Sequence, residues 1–281
     1  MSNDRQQMEE EIKELEKHIY VKPLYVWDGS FSYDIPPFQY SISICTTCMN
    51  RLNDLKETLP KNIKSNSDYP NVEFVVLDYN STDKIEDWMK KEMIDHIWSG
   101  KLKFLQTKEP QQYSMTHSRN IAFRAASGSI VLNVDADNYT NDHFATFINR
   151  LANEQQYNAI FAKGKRMIRG RIGFWKHEFT DILGGYDENI EDYGHDDHDL
   201  IYRAYNLGFR LMYYGGQFYS NCGSPKHQTE NMKNQDWKTT EIRNKLISHQ
   251  NIYNKIFKAN HNNKWGYVND LIKNFERKID L

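Results

Sequence analysis

Short apolar runs alternate with amphipathic segments through the first half of the chain. The runs predict buried strands over 41–47, 72–78, 101–107 and 129–135. Between the first two runs, Leu52, Leu55 and Leu59 recur at helical spacing. Asp83 stands three residues before Glu86, as in a capping box, so we expect it to cap the helix that follows. Strands that alternate with helices are typical of an α/β fold with a mostly parallel sheet flanked by helices.

An amphipathic stripe begins the chain. Apolar residues recur at helical spacing among Glu and Lys at Met8, Ile12, Leu15 and Ile19. The polar face is mixed in charge and not rich in Lys and Arg, so we do not expect this helix to enter a membrane. We expect it to dock on the protein or to pair with a second copy as a homo-oligomer. Residues 20–40 contain three prolines and predict an irregular connector.

The second half of the chain has a weaker pattern. Residues 158–170 predict one or two strands, and residues 209–215 predict another. A helix is expected over about 196–206, and a helical tail from Asp236 onwards. The chain therefore divides into an N-terminal helix and connector (1–39), an α/β domain (40–230) and a C-terminal helical extension (231–281).

Charge and composition argue against several classes of function. Lys and Arg number 36 against 38 Asp and Glu, and a net charge of −2 is not the basic balance typical of nucleic-acid binding. No apolar run reaches the ~18 residues of a membrane span, and the acidic N-terminus does not resemble a secretory signal. Three cysteines argue against a disulfide framework. We expect a soluble, reduced, cytoplasmic protein, with peripheral contact to the inner face of the membrane left open.

The sequence lacks the glycine-rich loops that usually bind phosphates. Residues 45–51, which follow the first strand, contain no glycine, and no stretch matches a P-loop. A diphosphate bound to such a sheet needs another neutralising group, commonly a divalent cation held by carboxylates. Asp135 and Asp137, at the end of the fourth predicted strand, are placed to hold one. The same acids also suit a turn with Asn138, and the pattern alone leaves both interpretations open.

Four motifs follow one another in order within residues 41–215. They are 77–83 (LDYNSTD), 118–120 (SRN), 135–137 (DAD) and 184–200 (GGYDENIEDYGHDDHDL). This ordered set resembles inverting glycosyltransferases of the GT-A fold, family 2, with a galactosyltransferase-like C-terminal motif. The resemblance implies a Rossmann-like GT-A domain that transfers a hexosyl group, with a metal ion and with inversion, from a nucleotide-diphosphate sugar to an acceptor hydroxyl. It also implies a UDP-linked donor, a carbohydrate or glycolipid acceptor, and surface polysaccharide synthesis.

The resemblance assigns residues to the nucleobase side of the donor site. Thr46 and Arg51 would border the base pocket, and Asp78 matches the acid that hydrogen-bonds the base. A carboxylate that accepts a base N–H suits that task. The sequence departs from the family pattern with Tyr79 in place of the second Asp and Asn80 in place of Gly, which leaves the base identity open.

The resemblance also assigns a metal site. Asp137 would bind the metal directly, and Asp135 would contact the ribose or water at the metal site. His227 matches the late histidine that completes the metal site in many relatives. An imidazole beside carboxylates favours Mn²⁺ over Mg²⁺, because Mg²⁺ prefers an all-oxygen shell. Arg119 matches the arginine that lies near the donor and its acids.

Two adjacent acids match the catalytic pair of the last motif. We expect Asp197 to be the general base, because it opens a helix whose dipole keeps the carboxylate charged. Asp196 is expected to orient an acceptor or sugar hydroxyl. A role as first-turn acids that complement the helix dipole explains both residues as well. Asp199 is expected to be structural. The aromatic residues that suit sugar stacking or core packing equally are Trp175, Tyr186 and Tyr193.

The cysteines allow two interpretations. Cys45 and Cys48, with Cys222 and His227, would supply four zinc ligands. Cys45 lies within a predicted buried strand, however, and unpaired cysteines are among the most buried residues. The sequence favours the core interpretation.

There are two rival functions, one from another class and one from the same broad chemistry. A catalytically silent sugar- or nucleotide-binding or assembly module is disfavoured because Asp137 and Asp197 are both present. A nucleotidyltransferase would carry a glycine-rich, basic segment after the first strand, and this sequence has none. The sequence therefore predicts an enzyme, a glycosyltransferase.

Overall fold

The computed structural model describes residues 2–23, 25–30, 34, 36, 38–163, 171–223, 229–261, 263–279 and 281. Its strands are β1 (Tyr25–Val26), β2 (Ile42–Cys48), β3 (Val72–Tyr79), β4 (Leu102–Thr107), β5 (Ile130–Asn133), β6 (Asn138–Tyr139), β7 (Ala159–Lys163), β8 (Ile172–Trp175), β9 (Arg210–Tyr214), β10 (Ser220–Asn221), β11 (Ile272–Lys273) and β12 (Arg277–Lys278). Its α-helices are α1 (Ser2–Leu15), α2 (Leu52–Ser65), α3 (Ile85–Glu92), α4 (Ile94–Trp98), α5 (Met115–Ala125), α6 (Phe144–Glu154), α7 (Asp196–Asn206) and α8 (Trp237–Tyr253).

Ten of these strands form one sheet in the order β1-β9-β7-β8-β5-β2-β3-β4-β11-β12. The central strands β5, β2, β3 and β4 are parallel, whereas β8 and β11 run antiparallel to their neighbours β5 and β4. Every residue of β2 is buried, as expected for a parallel strand covered on both faces, and this explains its continuous apolar run. The prediction of an α/β fold with a mostly parallel sheet is confirmed.

Successive side chains of β2 enter two different hydrophobic clusters, one on each face of the sheet. Ile44 and Cys48 belong to one cluster, and Cys45 belongs to the other. Side chains three positions apart on a strand point to opposite faces of the sheet, so Cys45 and Cys48 cannot bind one zinc ion from the same side. Burial raises the pKa of both thiols well above the usual range. The structure therefore supports the core interpretation of these two cysteines.

Helix α1 ends at Leu15, one turn before the predicted Ile19, and packs on α8 of the same chain. Just beyond the helix, Glu16 pairs with Lys245 Nζ at 2.7 Å and with His249 Nε2 at 3.3 Å. The amphipathic helix therefore docks within its own chain. Pairing with a second copy stays a prediction.

Deleting residues 1–20 should lower the melting temperature and leave the number of chains in the assembly, determined from its molar mass, unchanged. The reason is that Ile12 is buried and α1 packs on α8 of its own chain. Calorimetry measures the first quantity and light scattering the second. As a control, Glu9→Ala breaks only the exposed Arg5–Glu9 pair and should alter neither. A deletion that halves the mass would place the helix between two copies.

Asp83 does not cap the helix that follows it. Helix α3 starts after Lys84, which has a φ of 62° and makes no side-chain cap. Asp83 Oδ2 instead accepts a hydrogen bond from the backbone N–H of Leu52 at 2.7 Å, at the first turn of α2. The capping-box prediction for α3 was wrong because Asp83 caps α2 instead. Arg51, the residue that precedes α2, makes no side-chain cap, and Asp83 supplies the missing acceptor from a neighbouring turn.

In the described part of the C-terminal tail, the helix runs from Trp237 to Tyr253. Asp236 caps this helix, since its Oδ1 accepts a hydrogen bond from Thr239 N at 3.4 Å. The described residues after Tyr253 (254–261, 263–279 and 281) form no further helix, so the predicted helical extension was wrong there. In this stretch the chain repeatedly enters the left-handed region that ends helices. Positive φ angles in this stretch occur at Lys255, Asn260, Gly266, Asn274 and Phe275.

Both ends of the chain join the central sheet. Strand β1 lies in the predicted irregular connector and pairs in parallel with β9, and β11 pairs with β4. The division of the chain at 39/40 and 230/231 stays a prediction. Among the described residues, no helix is long and apolar enough to cross a membrane.

Candidate active site

The predicted site residues gather at the edge of the sheet where the parallel strands end. Asp78 is near the end of β3, and Asp135 and Asp137 follow the end of β5. Arg119 lies in the first turns of α5, and Asp197 lies in the first turn of α7. Ligands of open α/β sheets bind beyond the carboxyl ends of the strands, so this edge is the place to expect a donor site.

Arg119 joins three acids from separate parts of the chain. Its guanidinium is 2% exposed, and Nη1 donates to Asp196 and, at 2.9 Å, to Asp197 Oδ1. Its Nη2 lies 3.3 Å from Asp135 Oδ1. Arg119 is thus in direct contact with three acids that were predicted to lie at the same site. A buried arginine with this many carboxylates is strongly held in its charged form, and the acids raise its pKa even though burial opposes this.

The two acids on α7 are not equivalent. Burial and the negative charge of Asp197 raise the pKa of Asp196, although Arg119 counteracts part of that rise. The Asp196 side chain is 5% exposed, against 11% for Asp197. Asp197 is therefore the more accessible of the pair.

The start of α7 is set by two residues with positive φ. Gly194 has a φ of 97° and His195 a φ of 67°, so the chain turns sharply and the helix begins at once with its acids. The helix N-terminus stabilises negative charge in its first turn. Asp196 and Asp197 therefore complement the helix dipole and also lie at the candidate site, so the two interpretations are compatible.

Asp199 has the structural position expected of it. Its Oδ2 pairs with Arg203 Nε at 2.8 Å, and both side chains are buried. Arg203 in turn donates to the carbonyls of Leu183 at 2.7 Å and Gly185 at 2.8 Å. This pair fixes the glycine-rich turn that leads into the acids of α7.

Asp135 and Asp137 form a polar turn after β5. The Asp135 side chain is 44% exposed and accepts a hydrogen bond from Asn133 at 2.9 Å. Asp137 is 24% exposed and accepts one from Asn138 at 2.7 Å. The backbone N–H of Asn138 donates to the carbonyl of Asp135, so the turn interpretation is correct as far as it goes.

The same turn suits a cation. Burial, and next the negative charge of Asp135, raise the pKa of Asp137. Arg51 Nη2, at 3.6 Å from Asp137 Oδ2, offsets only part of that negative charge. Neighbouring carboxylate oxygens with uncompensated charge are suitable ligands for a divalent metal ion. Within the described part of the chain, no three His, Cys, Asp or Glu residues are arranged to hold a metal by themselves.

His227, the third predicted metal ligand, lies outside the described residues. The chain shortly before it is next to Asp137, the predicted metal ligand, since the backbone N–H of Cys222 donates to the carbonyl of Asp137 at 2.9 Å. Cys222 Sγ lies 3.8 Å from Asp54 Oδ1, and not with Cys45 or Cys48. The role of His227 stays a prediction.

Thr46 and Arg51 both lie near the predicted pocket, but their side chains contact different groups. The Thr46 hydroxyl is buried and donates to the carbonyl of Val134 at 2.7 Å, so it links β2 to the turn after β5. Arg51 contacts Asp54 and Asp137, and so connects the turn after β2 with the predicted metal ligand Asp137. Arg51 is therefore the better placed of the two to meet a bound diphosphate.

Asp78 lies in the predicted pocket but is fully buried. Its Oδ1 accepts a hydrogen bond from Ser81 N at 2.8 Å, and its Oδ2 accepts one from Gln106 Nε2 at 3.4 Å. Burial raises the pKa of Asp78. Lys108 Nζ lies 3.7 Å from Asp78 Oδ2 with its own side chain 52% exposed. Lys108 was not predicted from the sequence, although its place directly after β4 was a usable signal.

The three aromatic candidates differ in accessibility. Trp175 is in the core, with its ring centroid 4.8 Å from that of Tyr40, and cannot stack on a sugar. Tyr186 is also fully buried, and its ring lies 5.5 Å from the Arg119 guanidinium. Tyr193 alone of the three is half-buried, with its ring centroid 6.5 Å from that of Trp237.

Similar folds are found among solved structures. The mannosyltransferase PcManGT from Pyrobaculum calidifontis, in complex with GDP-Man and Mn²⁺, is 20% identical with a TM-score of 0.57, and the match covers 71% of this chain and 62% of that one. TarS 1–349 from S. aureus, in complex with UDP-GlcNAc, is 18% identical with a TM-score of 0.56, covering 71% of this chain and 64% of that one. GalNAc-T7 with UDP, GalNAc and Mn²⁺ is 14% identical with a TM-score of 0.51, covering 67% and 45%.

The match spans less than two thirds of the length of each of these three proteins, and it shows a shared GT-A fold. No curated protein sequence matches the chain significantly. The sequence profile of glycosyl transferase family 2 matches residues 43–213, which is more than half of the chain. The resemblance that the motifs predicted is confirmed, and the chain belongs to glycosyl transferase family 2.

Proposed function

We propose that this glycosyltransferase moves a hexosyl group from a nucleotide-diphosphate sugar, UDP-linked, to the hydroxyl of a carbohydrate or glycolipid acceptor, with a divalent metal ion and with inversion. The observation that carries the proposal is the contact of Arg119 with Asp135, Asp196 and Asp197 at the carboxyl edge of the sheet. Acids that follow β5 and acids that open α7 thereby share one site. Surface polysaccharide synthesis is the pathway that the family resemblance suggests.

The turn after β5 would hold the metal. Asp137 is the proposed direct ligand, with Asp135 beside it and His227 as the imidazole that favours Mn²⁺ over Mg²⁺. A divalent cation bound there supplies Lewis-acid stabilisation of the departing diphosphate. Arg51 already neutralises part of the charge on Asp137, so a bound diphosphate adds a second partner for this arginine.

The acids of α7 would handle the acceptor. The acceptor oxygen attacks the anomeric carbon while the bond from that carbon to the diphosphate oxygen breaks, and the hydroxyl proton passes to the Asp197 carboxylate. Arg119 holds Asp197 in place until then, through the hydrogen bond from its Nη1 to Asp197 Oδ1. Asp196, held by the same guanidinium, orients a sugar or acceptor hydroxyl. The products are a glycoside of inverted configuration and a nucleoside diphosphate.

Asp137→Asn should abolish the tightening of UDP binding by Mn²⁺ that we expect for the natural protein. The amide keeps the shape of the turn but loses the negative charge that would hold the cation. Isothermal titration calorimetry with UDP, with and without Mn²⁺, measures the effect. Asp142→Asn is the matched control, because it removes an exposed acid five residues further along and should change nothing. Metal-dependent binding that survives in Asp137→Asn would remove this residue from the site.

Turnover distinguishes an active enzyme from a silent binding module. UDP-hexoses and GDP-hexoses, each incubated with Mn²⁺ and candidate acceptors, should yield free nucleoside diphosphate. In thermal-shift assays, a donor at 100 times its dissociation constant should add about 2.7 kcal/mol to the free energy of unfolding. Stabilisation by a donor that is never turned over would support the silent module instead.

A further inference from the structure

The C-terminal segment Tyr267–Asp270, called here the tail segment, lies beyond the residues matched by the family profile and contacts the loop after β4. The Asp270 carboxylate accepts hydrogen bonds from the Thr107 hydroxyl and, at 2.6 Å, from the backbone N–H of Lys108. The backbone N–H of Asn269 donates to Glu109 Oε2 at 2.7 Å. A carboxylate that accepts two hydrogen bonds holds both donors firmly.

Buried apolar residues anchor the tail segment. Val268 and Leu271 are both buried in the hydrophobic cluster that packs against α5. Further along the chain, Asn274 Oδ1 accepts a hydrogen bond from Phe104 N at 3.0 Å. The tail therefore has its own attachment to the protein, and Asp270 is not needed to keep it there.

The loop held by the tail segment covers Asp78. Thr107 is the last residue of β4 and pairs with Tyr79 of β3. Lys108 follows it, and its Nζ lies 3.7 Å from Asp78 Oδ2 and 3.5 Å from the carbonyl of Ser81. The half-exposed Lys108 side chain therefore places an ammonium group beside the buried Asp78 carboxylate.

A second link runs from the tail segment to β3 through His117. Its Nε2 lies 3.1 Å from the carbonyl of Tyr267, and its Nδ1 lies 2.6 Å from the Tyr79 hydroxyl. A carbonyl only accepts, so Nε2 carries the proton and Nδ1 accepts from the hydroxyl of Tyr79. The hydrogen bonds thus run in one direction, from Tyr79 to His117 to the tail.

The departures from the family pattern at Tyr79 and Asn80 coincide with these contacts. An ionised Asp in place of Tyr79 has no proton to donate to His117, and a Gly in place of Asn80 has no side chain. Asn80 Nδ2 donates to the carbonyl of Pro110 at 2.6 Å, and the backbone N–H of Asn80 donates to the carbonyl of Thr107 at 2.9 Å. Both residues therefore secure the loop after β4 or its link to the tail.

We propose that the tail segment is part of the nucleobase side of the donor site, and that Asp270 is a positioning residue that holds Lys108 over Asp78. The proposal rests on the proposed function, since it concerns the binding of a nucleoside diphosphate. Asp270 acts through the backbone of Lys108 and touches neither the reacting atoms nor the metal acids. Its loss should weaken nucleotide binding and leave kcat nearly unchanged.

The test compares UDP binding in the presence of Mn²⁺, with GDP titrated in parallel. Asp270→Ala should weaken binding about tenfold, because the ammonium of Lys108 loses its fixed position. Asn274→Gly is the matched control, since it also removes one acceptor between the tail and β4, at a site away from Lys108. Glycine tolerates the positive φ of 51° at that position. The control should bind nucleotide as the natural protein does.

A double-mutant cycle with Lys108→Met shows whether Asp270 acts through this lysine. Each single substitution should weaken binding by a similar factor, and the double variant should lose no more than either alone. Asp270→Asn, which keeps one acceptor oxygen, should fall between the natural protein and Asp270→Ala. If Asp270→Ala fails to fold, Asp270→Asn and Lys108→Met complete the same cycle.

Equal affinities of Asp270→Ala and Asn274→Gly for the nucleotide would overturn the proposal, and so would losses that simply add in the cycle. A kcat that falls with unchanged affinity would also contradict it. Failure of the natural protein to bind either UDP or GDP with Mn²⁺ is a different result, because it would refute the proposed function and the nucleotide site together.

Discussion

Asp197→Asn is expected to lower kcat by about 10²- to 10⁴-fold, which is the contribution of a general base to such a transfer. The amide cannot take the acceptor proton, but its oxygen can still accept the hydrogen bond from Arg119 Nη1, now 2.9 Å from Asp197 Oδ1. The geometry of the site should therefore survive. Donor affinity, measured by calorimetry, should stay within a few-fold of the natural value.

Asp196→Asn is the matched variant that separates the two acids. Both side chains contact the same guanidinium nitrogen, so the two substitutions disturb Arg119 alike. The greater exposure of Asp197 favours it as the residue that meets the acceptor. Near-normal transfer by Asp197→Asn together with loss of transfer by Asp196→Asn would mean that Asp196 is the general base and that Asp197 orients the hydroxyl. Activity in both variants would contradict the inverting mechanism itself.

The central strands were predictable because a strand buried on both faces forms an uninterrupted apolar run. β2, β3, β4 and β5 were all located in this way, to within two residues at each end. Strands of two residues, such as β1 and β11, carry no periodicity of their own. They exist because a neighbouring strand, β9 or β4, offers backbone groups to pair with.

The residues of the site were predictable from the order of the motifs, but their contacts were not. Arg119 and Asp197 are 78 positions apart, and nothing in the local pattern of either predicts that they touch. Lys108 and Asp270 are 162 positions apart, and their contact depends on the tail packing beside β4. Asp83 shows the same limit, because a local capping pattern was overridden by a partner from another turn.

Arg119→Leu is expected to lower the free energy of unfolding by about 3–5 kcal/mol, as is typical when one member of a buried ionic cluster is removed. Leucine fills much of the space but leaves two nearly buried carboxylates, Asp196 and Asp197, without their shared cation. Urea unfolding measures the loss. Arg124→Leu on the same helix is the control, since its guanidinium donates to the carbonyls of Trp265 and Gly266 and lies over the Trp265 ring. This substitution should cost about 1 kcal/mol.

The pH dependence of this loss tests its electrostatic origin. Without Arg119, burial and the negative charge of Asp197 should raise the pKa of Asp196 in the folded protein further above its value in the unfolded chain. The folded variant then binds more protons than the unfolded chain, so its stability should recover as the pH falls and decline as the pH rises. Adding Asp196→Asn and Asp197→Asn to Arg119→Leu removes both carboxylate charges and should restore part of the lost stability at neutral pH. A deficit that is equal at all pH values, and that the two amides do not relieve, would mean that Arg119 stabilises the fold by packing, for example against Tyr186, and not by its charge.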